Sequence, residues 1–165
     1  MKEIQLTRGK VALVDDDDYE ALSKHRWCAD RHRNTWYAVR RKSKPEGLVR
    51  VYMHRELVVA DGDIDHVDRN GLNNQRHNLR PCTRSQNMKN CTKKAGATSR
   101  YVGVYKMRGK HHEKRKKKWA ADIRRGNKTH RIGYYDTEIE AAIARERAVL
   151  ESGDSFLRLN FPEVV

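Results

Sequence analysis

Residues 65–90 read DHVDRNGLNNQRHNLRPCTRSQNMKN, and the organisation of the whole chain follows from them. An acid-histidine pair, Asp65 and His66, leads into a polar turn and then into His77, Asn78 and Leu79. Thr83 and Gln86 have the spacing of a capping box, so a short helix is expected from Thr83 to Asn90. Pro81 lies just before the cap, where its missing N–H is tolerated. Asn87 then falls in the second helical turn, able to face back across the preceding strands. Phosphodiester hydrolysis near neutral pH needs a base for water and positive charge on the phosphate oxygens. His66 has the chemistry of the base. Asp65 and Asn87 offer oxygen ligands to a hard divalent cation. No other part of the chain carries such a set.

The stretch resembles the HNH nucleases, in particular the phage homing endonucleases. Asn78 lies 12 positions after His66, and Asn87 lies 22 after Asp65. The resemblance implies a ββα-metal (His-Me finger) motif of two strands and a helix gripping one metal. It implies His66 as general base, Asp65 and Asn87 as metal ligands, and Asn78 as the residue tying the loop between the strands. Many relatives place a histidine last, where this chain has Asn87. That substitution favours Mg²⁺ or Mn²⁺ over zinc, because amide and carboxylate oxygens suit hard ions.

The chain has 165 residues, 37% hydrophobic and 35% charged, so its core is modest and expected to be divided. The net charge of +14 is the footprint of a protein that meets a polyanion. The charge is unevenly placed. Residues 93–131 hold 15 Lys or Arg against two acids, a net of +13, while residues 132–165 hold three Arg against seven acids, a net of −4. Cys28, Cys82 and Cys91 form no C-x-x-C pair, so neither disulfides nor a structural zinc is expected. No apolar run is long enough to span a bilayer, and the N-terminus lacks a signal core. The expected location is the cytoplasm, that of the host cell if the gene is phage-borne.

Residues 4–14 read as a hairpin turning at Arg8 and Gly9. Asp15 to Asp18 invite a second cation site, but acids also gather at helix starts, where the dipole and free N–H groups favour them. A short helix from Tyr19 to Lys24 fits the second reading better. Trp27 and the run Trp36 to Arg40 suggest strands, and Lys44 to Gly47 a turn. This N-terminal sheet is expected to prop up the nuclease motif. His54, in a run that reads as helical, is expected to be structural, and His77 a surface residue.

From Tyr101 the pattern gives three strands, around Tyr101–Met107, Lys118–Arg124 and Lys128–Tyr135. A helix follows, opened by a Thr137/Glu140 capping box and ended by Gly153. Its alanines permit close approach to the sheet, with Ile139, Ile143 and Val149 as apolar contacts. Strand alternation puts Trp119, Ala121 and Ile123 under the helix and leaves Lys118, Ala120, Asp122 and Arg124 open. This region is similar to the plant ethylene-response-factor domain of the Apetala-two type, which also occurs in homing nucleases. The matching pieces begin with Tyr101 to Val104 and run through Trp119 to Arg124, Ile132 to Thr137, Glu140 to Ala142 and Leu159 to Pro162. That family lays its sheet in the DNA major groove. By position, the reading face here is Tyr105, Met107, Arg108, Lys118, Asp122, Arg124, Thr129 and Arg131. Several of these differ from the plant residues, so the docking mode carries over and the plant target sequence does not. The basic loop from Arg108 to Lys118 suits phosphate contacts, which give affinity without reading sequence.

The fold class expected is α+β. It comprises a small N-terminal sheet with the ββα-metal nuclease motif (residues 1–91), a linker (92–100), and a three-stranded antiparallel sheet packed on one helix (101–165). The function expected is a site-directed, metal-dependent DNA endonuclease, acting on double-stranded DNA as a monomer. One competing reading is a DNA-binding regulator with a relic nuclease motif. Another is an RNA-directed protein, disfavoured because the sheet has few aromatics for base stacking.

Overall fold

Alternating apolar residues at the start of the chain close a hairpin. In the computed structural model, which describes residues 1–32, 35–45, 47–90, 96–107, 117–126 and 128–162, β1 (Lys2–Gln5) pairs antiparallel with β2 (Val11–Val14). Ile4, Ala12 and Val14 turn inward. A 3-10 turn at Thr7–Gly9 joins the strands, with Arg8 and Gly9 both at positive φ. α1 (Asp16–Ser23) follows, and Asp16, Asp17 and Asp18 occupy its first turn. The acidic run thus does sit at a helix start, but two of its carboxylates have a further use. Asp15 Oδ2 accepts from the Arg76 backbone N at 2.7 Å, and Asp18 takes the Arg76 guanidinium at 2.6 and 2.8 Å.

β3 (Cys28–His32), β4 (Thr35–Lys44) and β5 (Gly47–Tyr52) form an antiparallel meander, and α2 (Met53–Leu57) follows. The hairpin, α1 and this sheet enclose one core of Ile4, Val14, Leu22, Trp27, Ala38 and Met53. Trp27 keeps its indole N–H satisfied by donating to Leu22 O at 2.8 Å, so the ring is buried at little polar cost. β6 (Asp63–His66) pairs with β7 (Leu79–Cys82), placing Asp65 opposite Arg80 and His66 opposite Leu79. α3 (Arg84–Lys89) comes next, its start closed by the reciprocal Thr83 and Gln86 bonds.

The chain divides into two compact units, Met1–Met88 and Lys89–Val165. In the second, β8 (Val104–Lys106), β9 (Trp119–Arg125) and β10 (Lys128–Tyr135) make an antiparallel sheet with β9 in the centre. α4 (Glu138–Ser152) covers one face, with the full Thr137/Glu140 capping box and a left-handed Gly153 cap. Val104, Ala121, Ala141 and Ala142 pack with Trp119, Ile132 and Tyr135, and Ile123 packs with Val149 and Leu157. Ile139 and Ile143 do not join them: they are about half exposed, because the 100° step of the helix turns the Ala141/Ala142/Val149 side to the sheet. The tail is strapped back by Asn160, which bonds Val102 N and O, and by Glu146, which accepts from Asn160 N and Phe161 N.

Residues 92–95 of the expected linker lie outside the described residues, but its C-terminal end is held. Thr98 Oγ1 accepts from Lys106 N, and Arg100 N donates to Glu138. Among the described residues no helix is long and apolar enough to cross a membrane. The unit is mixed α+β throughout, with small antiparallel sheets in both halves.

β8 begins late, at Val104, because Gly103 has φ +72° and its carbonyl receives Asp122 N at 2.8 Å. A Cβ at Gly103 would fall 2.5 Å from Asp122 O. Gly103→Ala is therefore expected to cost about 2–3 kcal/mol through strain at positive φ and a displaced backbone contact. Urea denaturation of the full chain in a Trp27→Phe/Trp36→Phe background, where Trp119 is the remaining tryptophan, would show the loss.

Candidate functional site

The polar turn between β6 and β7 is built on the Asn78 amide. Asn78 Oδ1 accepts from Asp68 N at 2.9 Å, while Nδ2 donates to Asp68 Oδ1 at 2.9 Å and to Asn73 O at 2.8 Å. Asp68 in turn receives Asn70 N and Asn73 Nδ2. The turn is also laid along β2, where Leu13 N donates to Leu72 O and Asn74 N to Leu13 O. Gly71 lets it approach β4, since a Cβ there would sit 2.5 Å from Trp36 O.

Around this turn the structure gathers the four residues of the motif, in two groups. Adjacent residues of a strand lean to opposite faces. Asp65 is gripped by Arg80, its cross-strand neighbour, at 2.7 and 2.9 Å. Asn87 reaches the same strand from α3 and donates to Asp63 Oδ2 at 2.9 Å. Asp63 and Asp65 share a face of β6 by their two-residue spacing, so Asp63 is an oxygen donor that the sequence reading missed. The Asp-x-Asp spacing on a strand was the signal for it. Arg84 also reaches Asp63, at 3.3 Å, and its side-chain bonds hold that carboxyl below the usual range, the Asn87 bond most of all.

His66 lies on the other side, buried against β4 and α2. Its ring stands edge-on to His54 with centroids 5.1 Å apart and lies 5.8 Å from Tyr37. His54 packs in turn on Tyr37 and Tyr52. Burial lowers the His66 pKa, outweighing the Asn74 side-chain hydrogen bond and the nearby Asp68 and Asp65 carboxylates, and it pushes His54 down to about 3. Both imidazoles are therefore neutral at neutral pH. His54 was read from sequence as structural; its place beside His66 is a tertiary contact across 12 positions that no local pattern reveals.

As donors for a cation, Asp63, Asp65 and Asn87 present carboxylate and amide oxygens only. That set fits a hard divalent ion such as Mg²⁺ or Mn²⁺ in its chemistry. Among the described residues no cluster of three or more His, Cys, Asp or Glu forms a metal centre, so the amide of Asn87 would have to complete this one. Cys28 and Cys82 are free thiols.

In the second unit the residues named for the reading face line the sheet side away from α4. Tyr105 donates to Asp122 Oδ2 at 3.0 Å, and the Arg131 guanidinium donates to both Asp122 and the Tyr105 hydroxyl. Arg131 also lies over the rings of Tyr105 and Tyr134, 5.4 and 4.8 Å from their centroids. Tyr134 was missed because a bulge between Arg131 and Gly133 shifts the alternation and turns it to the open side. Ala120 lies on that side too, yet it is fully buried, since Tyr105 and Tyr134 are its cross-strand neighbours on either side. Arg124 and Thr129 are exposed and paired across the strands, Lys118 is exposed, and Met107 is half-buried beside it. Arg108 lies outside the described residues.

Compared with known proteins, the chain matches no family model, no curated protein and no solved structure.

Two outcomes follow for the first unit. Asn78→Ala removes three bonds made by a buried side chain, two to Asp68 and one to Asn73 O, so it should cost about 2 kcal/mol, measurable by chemical denaturation. Because His54 takes up a proton in the unfolded chain near pH 6.5 and in the folded chain only near 3, stability should fall as pH drops below about 6.5. The slope for this residue reaches at most roughly 1.4 kcal/mol per pH unit. His54→Phe, compared by thermal unfolding between pH 7 and 4.5, should show a shallower fall than the parent.

Proposed function

We propose that the chain is a metal-dependent DNA endonuclease of the HNH homing type. The observation that carries this reading is the β6–β7–α3 arrangement, with Asn78 tying the intervening turn while Asp65 and His66 project from β6 and Asn87 from α3. The resemblance of motif spacing supports it independently. His66, kept neutral by burial, retains a lone pair with which a ring nitrogen takes the proton of the attacking water. Asn78 fixes the turn that carries Asp68 and so the end of β6 on which His66 stands. Arg80 offers a positive charge that can move from Asp65 to a phosphate oxygen as substrate enters. A divalent cation held by Asp65 and Asn87, with Asp63 beside them, would supply positive charge to the scissile phosphate and the departing 3′ oxygen.

The second unit provides the binding half of the proposal. Its open face carries Lys118, Arg124 and the Tyr105–Asp122–Arg131 network, a shape and charge that suit the major groove of double-stranded DNA. Action as a monomer in the cytoplasm belongs to the same reading.

A second reading is favoured by one observation: Asp65 is paired with Arg80 and His66 is 5% exposed, an arrangement that also suits a DNA-binding regulator with an inactive nuclease motif.

The two readings separate on one experiment. With Mg²⁺ and duplex DNA containing a natural target, the protein should cut. His66→Ala should cut at least about 100-fold more slowly while binding equally well, the loss expected when a general base is removed. Chelation of divalent ions should abolish cutting and leave binding in place. Cutting by both proteins, or by neither, would reject the assignment of His66.

A further inference from the structure

A cleft of about 620 Å³ opens on the first unit, away from the β6–β7 turn, between the Thr7–Gly9 turn and the β3–β4–β5 sheet. Five arginines line it: Arg8, Arg26, Arg40, Arg41 and Arg50, with Asp30 as the single acid of the lining. Two of the five are committed. Arg50 pairs with Asp30 at 2.8 Å, and Arg40 pairs with Glu56 while lying over the Trp27 ring. Among the described residues the side chains of Arg26 and Arg41 make no hydrogen bond or ion pair, and the Arg8 side chain engages the face of Trp36, at 5.6 Å.

Folding alone does not account for this concentration of like charge. Arginines facing one hollow repel one another; Asp30 and Glu56 offset two of the charges, and the other three are left for an anion from outside. Arg8 adds a second observation. It sits at φ 62°, a conformation that glycine adopts without cost and arginine does not. The turn that holds it there is pinned to β3, since Thr7 Oγ1 accepts from Ala29 N at 3.0 Å. A charged side chain is thus kept at the rim of the cleft on a strained backbone.

We propose that this cleft is a second phosphate-binding site, which takes backbone phosphates of duplex DNA through Arg8, Arg26 and Arg41. Guanidinium forks match phosphate oxygens in pairs, and Arg40 and Arg50, held by their carboxylate partners, shape the walls. Such contacts add affinity and set register on the duplex without reading bases. This inference rests on the reading of the protein as one that acts on DNA.

The test is equilibrium binding of the full chain to a duplex of unrelated sequence, by fluorescence anisotropy over a series of salt concentrations. Each phosphate contact contributes about 0.9 to the slope of log affinity against log salt. The double variant Arg26→Gln/Arg41→Gln should therefore show a slope shallower by about 1.8, and Arg26→Lys/Arg41→Lys should return most of it. Thermal unfolding of both variants guards against misfolding as the cause. A parent that binds with a clear salt dependence and a glutamine variant of unchanged slope would overturn this inference and leave the DNA reading intact. A parent with no affinity for duplex DNA would overturn both. A slope change seen with RNA and not with duplex DNA would also overturn the cleft's assignment.

Discussion

The first unit depends on the carboxamide of Asn78. One side chain accepts from the backbone of Asp68 and donates both to its carboxylate and to the carbonyl of Asn73, so three polar partners of the turn are satisfied by one residue. Buried polar atoms are costly unless paired, and a carboxamide can accept and donate at once in a fixed plane. Asp could not donate, and Gln would carry its amide a methylene too far. From this knot the ends of β6 and β7 take their spacing. The Asp15–Asp18 clamp on Arg76 then holds the approach to β7 against α1, and Leu13 holds the turn along β2.

Much of the fold was legible because local chemistry and long-range packing agree. The capping boxes at Thr83 and Thr137, the Gly153 cap and the Trp119–Ala121–Ile123 stripe each state a local rule that the tertiary structure also obeys. Where the reading went astray, a contact between distant segments decided the matter. Ile139 and Ile143 look like core residues by composition, but the alanine face of α4 is narrower and wins the sheet. Tyr134 follows a bulge, and one extra residue reverses which side every later residue faces.

The candidate site was legible in membership and less so in pairing. Spacing named Asp65, His66, Asn78 and Asn87, and all four lie on or beside the β6–β7–α3 unit. Spacing said nothing of Arg80, which reaches Asp65 across a strand pair, or of Asp63, which meets Asn87. Nor could it reveal that His54 and His66 stand ring to ring, since their encounter depends on how α2 packs over β4. Cross-strand and inter-element partners are set by register and packing angle, which a linear pattern leaves open.

Arg131 carries a consequence of its own. With its guanidinium bonded to Asp122 and Tyr105 and set over two phenol rings, the side chain has already surrendered its rotational freedom when the chain folds. A lysine or an untethered arginine would surrender it at each encounter, at roughly 0.5–1.5 kcal/mol per immobilised side chain. Whatever meets this face therefore finds a rigid tile of known shape, one that rewards a complementary surface at once and has little capacity to mould itself to a poor one.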